Sequence, residues 1–99
     1  QGKAATLHQL AGIYANLGEV EQAIAFYQQS LELEEKIGDV QGKAATFAML
    51  GKLLADEKGD FDQALNYLQQ SLDILQHLRS PDAQTVKEII AAVQQMAGD

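Results

Sequence analysis

Cysteine and tryptophan are absent, and proline occurs once, at Pro81. Without cysteine the chain builds no disulfide framework and offers no thiolate to a metal, which fits a reducing compartment; the cytoplasm is the expected location. With a single proline almost every backbone amide is free for a helical ladder, and the strong helix formers Ala, Leu, Gln, Glu and Lys are abundant. No apolar run approaches the ~20 residues of a membrane span, and no charged-then-apolar leader opens the chain, so a soluble protein without membrane contact is expected. Arginine also occurs once, at Arg79. Binding to a phosphate backbone needs clustered Lys and Arg, so nucleic acid is not an expected partner. The net charge of −7 is spread unevenly: −4 over residues 1–40, −1 over 41–80 and −2 over 81–99. A solvated acidic surface that keeps the chain soluble accounts for it.

What is present is repetition. Gln-Gly-Lys-Ala-Ala-Thr stands at Gln1–Thr6 and again at Gln41–Thr46, 40 residues on. Leu10 returns as Leu50 and Ala15 as Ala55; after one inserted residue Gly18 returns as Gly59, Gln22-Ala23 as Gln63-Ala64, and Gln28-Gln29-Ser30-Leu31 as Gln69-Gln70-Ser71-Leu72. Self-similarity at a fixed period marks a stacked array in which no unit buries its apolar face alone. Ninety-nine residues suffice for one small domain with a continuous core. Repeat one is 1–40, repeat two 41–80, and 81–99 is the first helix of a third repeat or a capping helix.

Apolar spacing marks five helices. The first spans Gly2–Leu17, with Leu7, Leu10, Ile13 and Tyr14 on one face, and ends at Gly18. The second spans Val20–Ile37, with Ala23, Ile24, Tyr27, Leu31 and Glu34 inward, and Gly38 stops it. Asp39 caps a third helix that turns Phe47, Leu50, Leu53 and Leu54 inward and ends before Gly59. Asp60 and Gln63 form a capping-box pair for the fourth, whose stripe is Ala64, Leu65, Leu68, Leu72, Leu75 and Leu78. Ser80-Pro81 starts the fifth, which buries Val86, Ile89, Ile90, Val93 and Met96. The inserted Asp56-Glu57-Lys58 region is expected to lengthen one helix–helix turn.

The run Leu7-x-x-Leu10-Ala11-x-x-Tyr14-x-x-x-Gly18-x-Val20-x-x-Ala23-x-x-x-Tyr27-x-x-Ser30 resembles the tetratricopeptide repeat pattern. A second copy reads Phe47, Leu50, Gly51, Leu54, Gly59, Phe61, Ala64, Leu68 and Ser71, and a third start appears at Ala83-x-Thr85-Val86-x-x-Ile89-Ile90-x-x-Val93. Ser30 and Ser71 replace the usual alanine. The period is about 40 residues rather than the standard 34, like the longer arrays of kinesin light chain and bacterial multi-repeat proteins. The resemblance implies an all-α, right-handed α-solenoid of antiparallel helix pairs: two hairpins plus a fifth helix. The pattern also reads as a piece of a longer array.

No catalytic constellation is apparent. His8 and His77 are far apart without a ligand spacing, and Glu32, Glu34 and Glu35 splay around one helix and cannot converge on an ion. No cofactor is expected, and the chain is read as not an enzyme. The resemblance implies a concave face lined by the first helix of each repeat. Position by position, that face takes Ala5, His8, Gly12, Ala15 and Asn16 from repeat one. Repeat two supplies Ala45, Ala48, Lys52, Ala55 and Asp56, and the fifth helix Gln84, Lys87, Ala91, Gln94 and Gln95. Small side chains floor such a groove and amides edge it, so a peptide backbone can approach closely. The lysine–asparagine clamp of the family's chaperone-binding members is missing, because those positions hold His8 and Gly12. The leading expectation is a non-catalytic scaffold that binds a protein or peptide. The alternative is a structural segment that forms homo-oligomers through its terminal helix.

Overall fold

The computed structural model describes residues 2–98; Gln1, which opens the repeated hexapeptide, and Asp99 lie outside them. The elements are α1 (Gly2–Asn16), α2 (Val20–Ile37), α3 (Val40–Leu53), α4 (Phe61–His77) and α5 (Asp82–Gly98). Among the described residues there is no strand. Each helix packs on the next in sequence, with weaker α1–α3 and α3–α5 contacts, in a slab of 40 × 33 × 17 Å. That is an all-α helical-repeat solenoid: α1–α2 and α3–α4 are antiparallel hairpins laid side by side, and α5 covers the open flank of the second.

The turns explain the hairpins. Gly18 and Gly38 adopt φ of 80° and 73°, left-handed values that a Cβ disfavours. The residue after each reaches back five positions to a carbonyl, Glu19 N–H to Tyr14 at 2.9 Å and Asp39 N–H to Glu34 at 2.9 Å. The α4–α5 turn makes the same bond, Ser80 N–H to Leu75 at 2.9 Å, with Arg79 in the left-handed place at φ 56°. Asp39 caps α3 by accepting from Gly42 N–H at 2.9 Å. Asp60 accepts from Gln63 N–H at 3.2 Å, but the Gln63 side-chain oxygen accepts from Asn66 Nδ2 at 3.4 Å rather than from the Asp60 N–H, which goes to Leu54 O, so the expected capping box is one-sided. Ser80 Oγ accepts from Asp82 N–H at 3.1 Å ahead of α5.

The inserted residue does not lengthen a loop. Leu54–Lys58 continue α3 as a π-helical turn, and Asp60 N–H bonds to Leu54 O, one position further back than at the other turns. The wider turn absorbs the extra residue while the chain still enters α4 in phase. It also rotates Ala55 inward: expected on the groove, Ala55 is 2% exposed.

The core runs through both hairpins, from Ala11, Ala23 and Tyr27 to Leu50, Leu68, Val86 and Val93. Small residues let helices approach. A Cβ on Gly51 would stand 2.9 Å from Ala64 O and 2.8 Å from Leu68 Cγ, so α3 and α4 meet backbone to backbone. Ser30 and Ser71, in place of alanine, each donate to a carbonyl of the partner helix, Ala4 O at 3.0 Å and Ala44 O at 2.7 Å. Three residues expected inward are instead exposed: Ile13 (54%), Leu78 (42%) and Met96 (39%). They lie on the outer helices or near a helix end, where fewer neighbours cover a stripe. For the same reason Leu7 and Leu10 are only half-buried.

Candidate functional site

The first helix of each repeat contributes to three neighbouring cavities. Between α1 and α3 lies a space of about 230 Å³ bordered by Ala5, His8, Glu34, Asp39, Gly42 and Ala45. Between α3 and α5 lies a larger one, about 330 Å³ and mostly apolar, walled by Ala44, Ala48, Met49, Leu75, Val86 and Ile89. A third, about 190 Å³, is bordered by Asn16, Tyr27, Lys52 and Asp56. His8 and Ala45 border the first two cavities, and Met49 the second and third, so the three are neighbours. Alanines floor them because each methyl favours helix while leaving room above the backbone.

A buried polar network stands at the α1–α3 end. Glu34 is 4% exposed, and its Oε2 accepts from Thr46 Oγ1 at 3.0 Å and lies 3.2 Å from Ser30 Oγ. The single Thr46 hydrogen goes to Glu34, so Thr46 accepts from His8 Nδ1–H at 2.8 Å. His8 also stands edge-on to the Tyr27 ring, with centroids 5.3 Å apart. Burial pushes the Glu34 carboxyl above its ordinary value, against the opposing pull of the Thr46 and Ser30 hydroxyls and of His8. Glu34 Oε1 is buried with no hydrogen-bond partner among the described residues. Burial alone raises the Tyr27 phenol.

The residues expected on the groove fall out as follows. His8 borders two cavities, and Asn16, Lys52 and Asp56 share the third, where Lys52 Nζ and Asp56 Oδ2 pair at 3.0 Å. Gly12 is half-buried; a Cβ there would meet only the Tyr27 hydroxyl, at 3.8 Å. Lys87, Gln94 and Gln95 are exposed on α5, whereas the α3–α5 cavity is lined from α5 by Asp82, Thr85, Val86 and Ile89. Sequence reasoning missed that set. The signal was there: the 40-residue offset that carries Ala5 to Ala45 lands next on Thr85. Glu34 was placed inward by its period, and its partners Thr46 and His8 lie on other helices, where periodicity cannot reach.

Among the described residues no group of three His, Asp or Glu side chains is placed to hold a metal ion, and no helix is long and apolar enough to cross a membrane. The fold and groove define a helical-repeat protein of the α-hairpin type. The chain belongs to the tetratricopeptide repeat family, whose model matches residues 2–77. A search of curated proteins finds no match.

Proposed function

We infer that the protein is a non-catalytic scaffold that holds a peptide or a partner helix in the groove built by α1, α3 and α5. Tetratricopeptide repeats are protein–protein interaction modules, and the observation that supports this mode here is the row of three neighbouring cavities that share His8, Ala45 and Met49 as bordering residues. An extended segment or one helix face laid along it would bury apolar side chains over Ala44, Ala48 and Ile89. Its backbone would meet polar edges at Gln41 and Asn16. Such a partner is protein rather than nucleic acid, because the chain has 14 acids and only 7 bases.

Met49 tests this reading, since it is 43% exposed and joins two of the cavities. Met49→Arg should abolish capture of partners that bind the wild-type chain, with an unchanged helical spectrum. A convex-side control, Glu32→Arg, should bind normally. Equal capture by Met49→Arg and wild type would remove the groove from the account.

A second reading has its own observation. Ile89 and Ile90 are only half-buried on α5 and Met96 is 39% exposed, an apolar strip that a second copy could cover. Light scattering over a dilution series decides it: a monomer at the highest concentration rules self-association out.

A further inference from the structure

We propose that the cavity between α1 and α3 is a cation-recognition pocket that takes the guanidinium of an arginine on the bound peptide, while an adjacent aliphatic side chain occupies the apolar cavity between α3 and α5. This assignment rests on the groove reading above and names the chemistry of its partner.

Glu34 Oε1 is the first observation. A carboxylate oxygen that is buried and unpaired is costly, and such groups are rare unless something meets them. Asp39 is the second. Its Oδ1 receives the Gly42 amide, and a Cβ on Gly42 would collide with Asp39 Oδ2 and stand 3.0 Å from Glu34 Oε2. The two acids therefore converge on the space that glycine leaves open. The His8 ring, whose Nδ1–H is given to Thr46, faces the same cavity. Two carboxyl groups border this cavity, so the pocket suits a planar group with several donors and repels anions.

Packing does not explain the arrangement. At the next interface the matching positions are Leu75 for Glu34, Val86 for Thr46 and Ala48 for His8, and those walls are apolar. The repeat thus closes without a buried acid, and the first interface carries one anyway. Among the described residues no Lys or Arg forms an ion pair with Glu34 or Asp39; Lys43 pairs with Glu35, Lys52 with Asp56, and Lys58 with Glu21. Two adjoining cavities that share His8 and Ala45, one bordered by two carboxyl groups and the other mostly apolar, match a basic residue beside an aliphatic one. Asp82 at the rim of the apolar cavity adds charge of the same sign.

The probe is N-acetyl-arginine amide, titrated into the whole chain labelled with ¹⁵N, with N-acetyl-citrulline amide as its uncharged counterpart. Amide shifts should concentrate at Ala5, His8, Gly42 and Ala45, with a dissociation constant on the order of 1 mM for so small a ligand. Citrulline should leave those amides in place. Glu34→Gln should weaken the arginine probe at least tenfold, and Asp39→Asn, which keeps a capping oxygen, severalfold. Should Glu34→Gln fold poorly, the carboxyl carbon of Glu34 in the wild type gives a second readout: arginine should lower its titration midpoint and citrulline should not. Equal shifts from arginine and citrulline, no shift at tens of millimolar, or full binding by Glu34→Gln would each overturn the assignment. The probe occupies only this pocket, so its failure leaves the groove to be judged by Met49→Arg, and failure of Met49→Arg leaves the pocket result standing.

Discussion

Glu34 is an acid on the inward stripe of α2, at a position where the next repeat carries Leu75. Desolvation raises its carboxyl, so the folded chain holds the proton more tightly than the unfolded chain does, whose reference is 4.5. Its contribution to stability is therefore fully present below that value and declines as pH rises through the raised folded value. The groups facing it are Ser30 on its own helix, His8 from α1, and Thr46 and Asp39 from α3 and its cap; Asp39 pushes in the same direction as burial. Glu34→Gln keeps an acceptor for Thr46 and removes the charge. The variant should be more stable than wild type at pH 7, by about 1–2 kcal/mol, with the difference shrinking toward pH 4. Urea midpoints at the two pH values check this, and a variant less stable at pH 7 would contradict it. Arg79 is the other strained residue, left-handed where three turns use glycine. Arg79→Gly should raise stability by roughly 0.5–1 kcal/mol despite the entropy that glycine adds to the unfolded chain. The period placed Glu34 inward from sequence. Nothing local distinguishes Arg79 from an ordinary helix end, because its φ is imposed by the Ser80–Leu75 bond.

Element boundaries were legible wherever glycine or a capping acid marks them: α2 begins at Val20 and ends at Ile37 as its pattern predicts. The π-helical turn was not, because one inserted residue can be absorbed by a loop or by a wider helical turn, and only packing chooses between them. Leu54 and Ala55 are both buried there, which favours keeping the helix going until Gly59. At Gly51 the helix pair sets the residue. Alanine would ordinarily suit a helix interior better by about 1 kcal/mol, yet its Cβ would press on the Ala64 carbonyl. Since that neighbour is backbone, α3 and α4 would have to separate, and Gly51→Ala should lose about 1–3 kcal/mol. The matching position in α1 is Ala11, fully buried, so the first hairpin already accepts that methyl. Ala11→Gly should also destabilise, through helix propensity and a lost contact. The opposite pair of outcomes, Gly51→Ala neutral and Ala11→Gly neutral, would show that close approach does not discriminate the two hairpins. Thermal melts of both variants read the answer.

The molecule as a whole is a chain of nearest-neighbour interfaces, so its stability should fall in steps rather than all at once when an outer helix is removed. α5 shields the flank of α4, with Val86 and Val93 at 4% and 3% exposure. Burial of these two valines favours docking of α5, and the entropy of ordering its 17 residues opposes it. The net contribution of an outer helix is therefore a small difference between large opposing terms, as in any small domain. A chain ending at Ser80 should keep the two hairpins and their helical signal at 25 °C, lose the α3–α5 cavity, and melt several degrees lower. Hydrogen exchange in the complete chain gives the same ordering without truncation. Amides of α5 and α1, each flanked on one side, should exchange ahead of those in α2, α3 and α4, which are flanked on both. If α5 exchanged no faster than α3, or if removing it melted the remaining hairpins at room temperature, the five helices would be one cooperative unit, and independent tuning of the groove by its last helix would be lost.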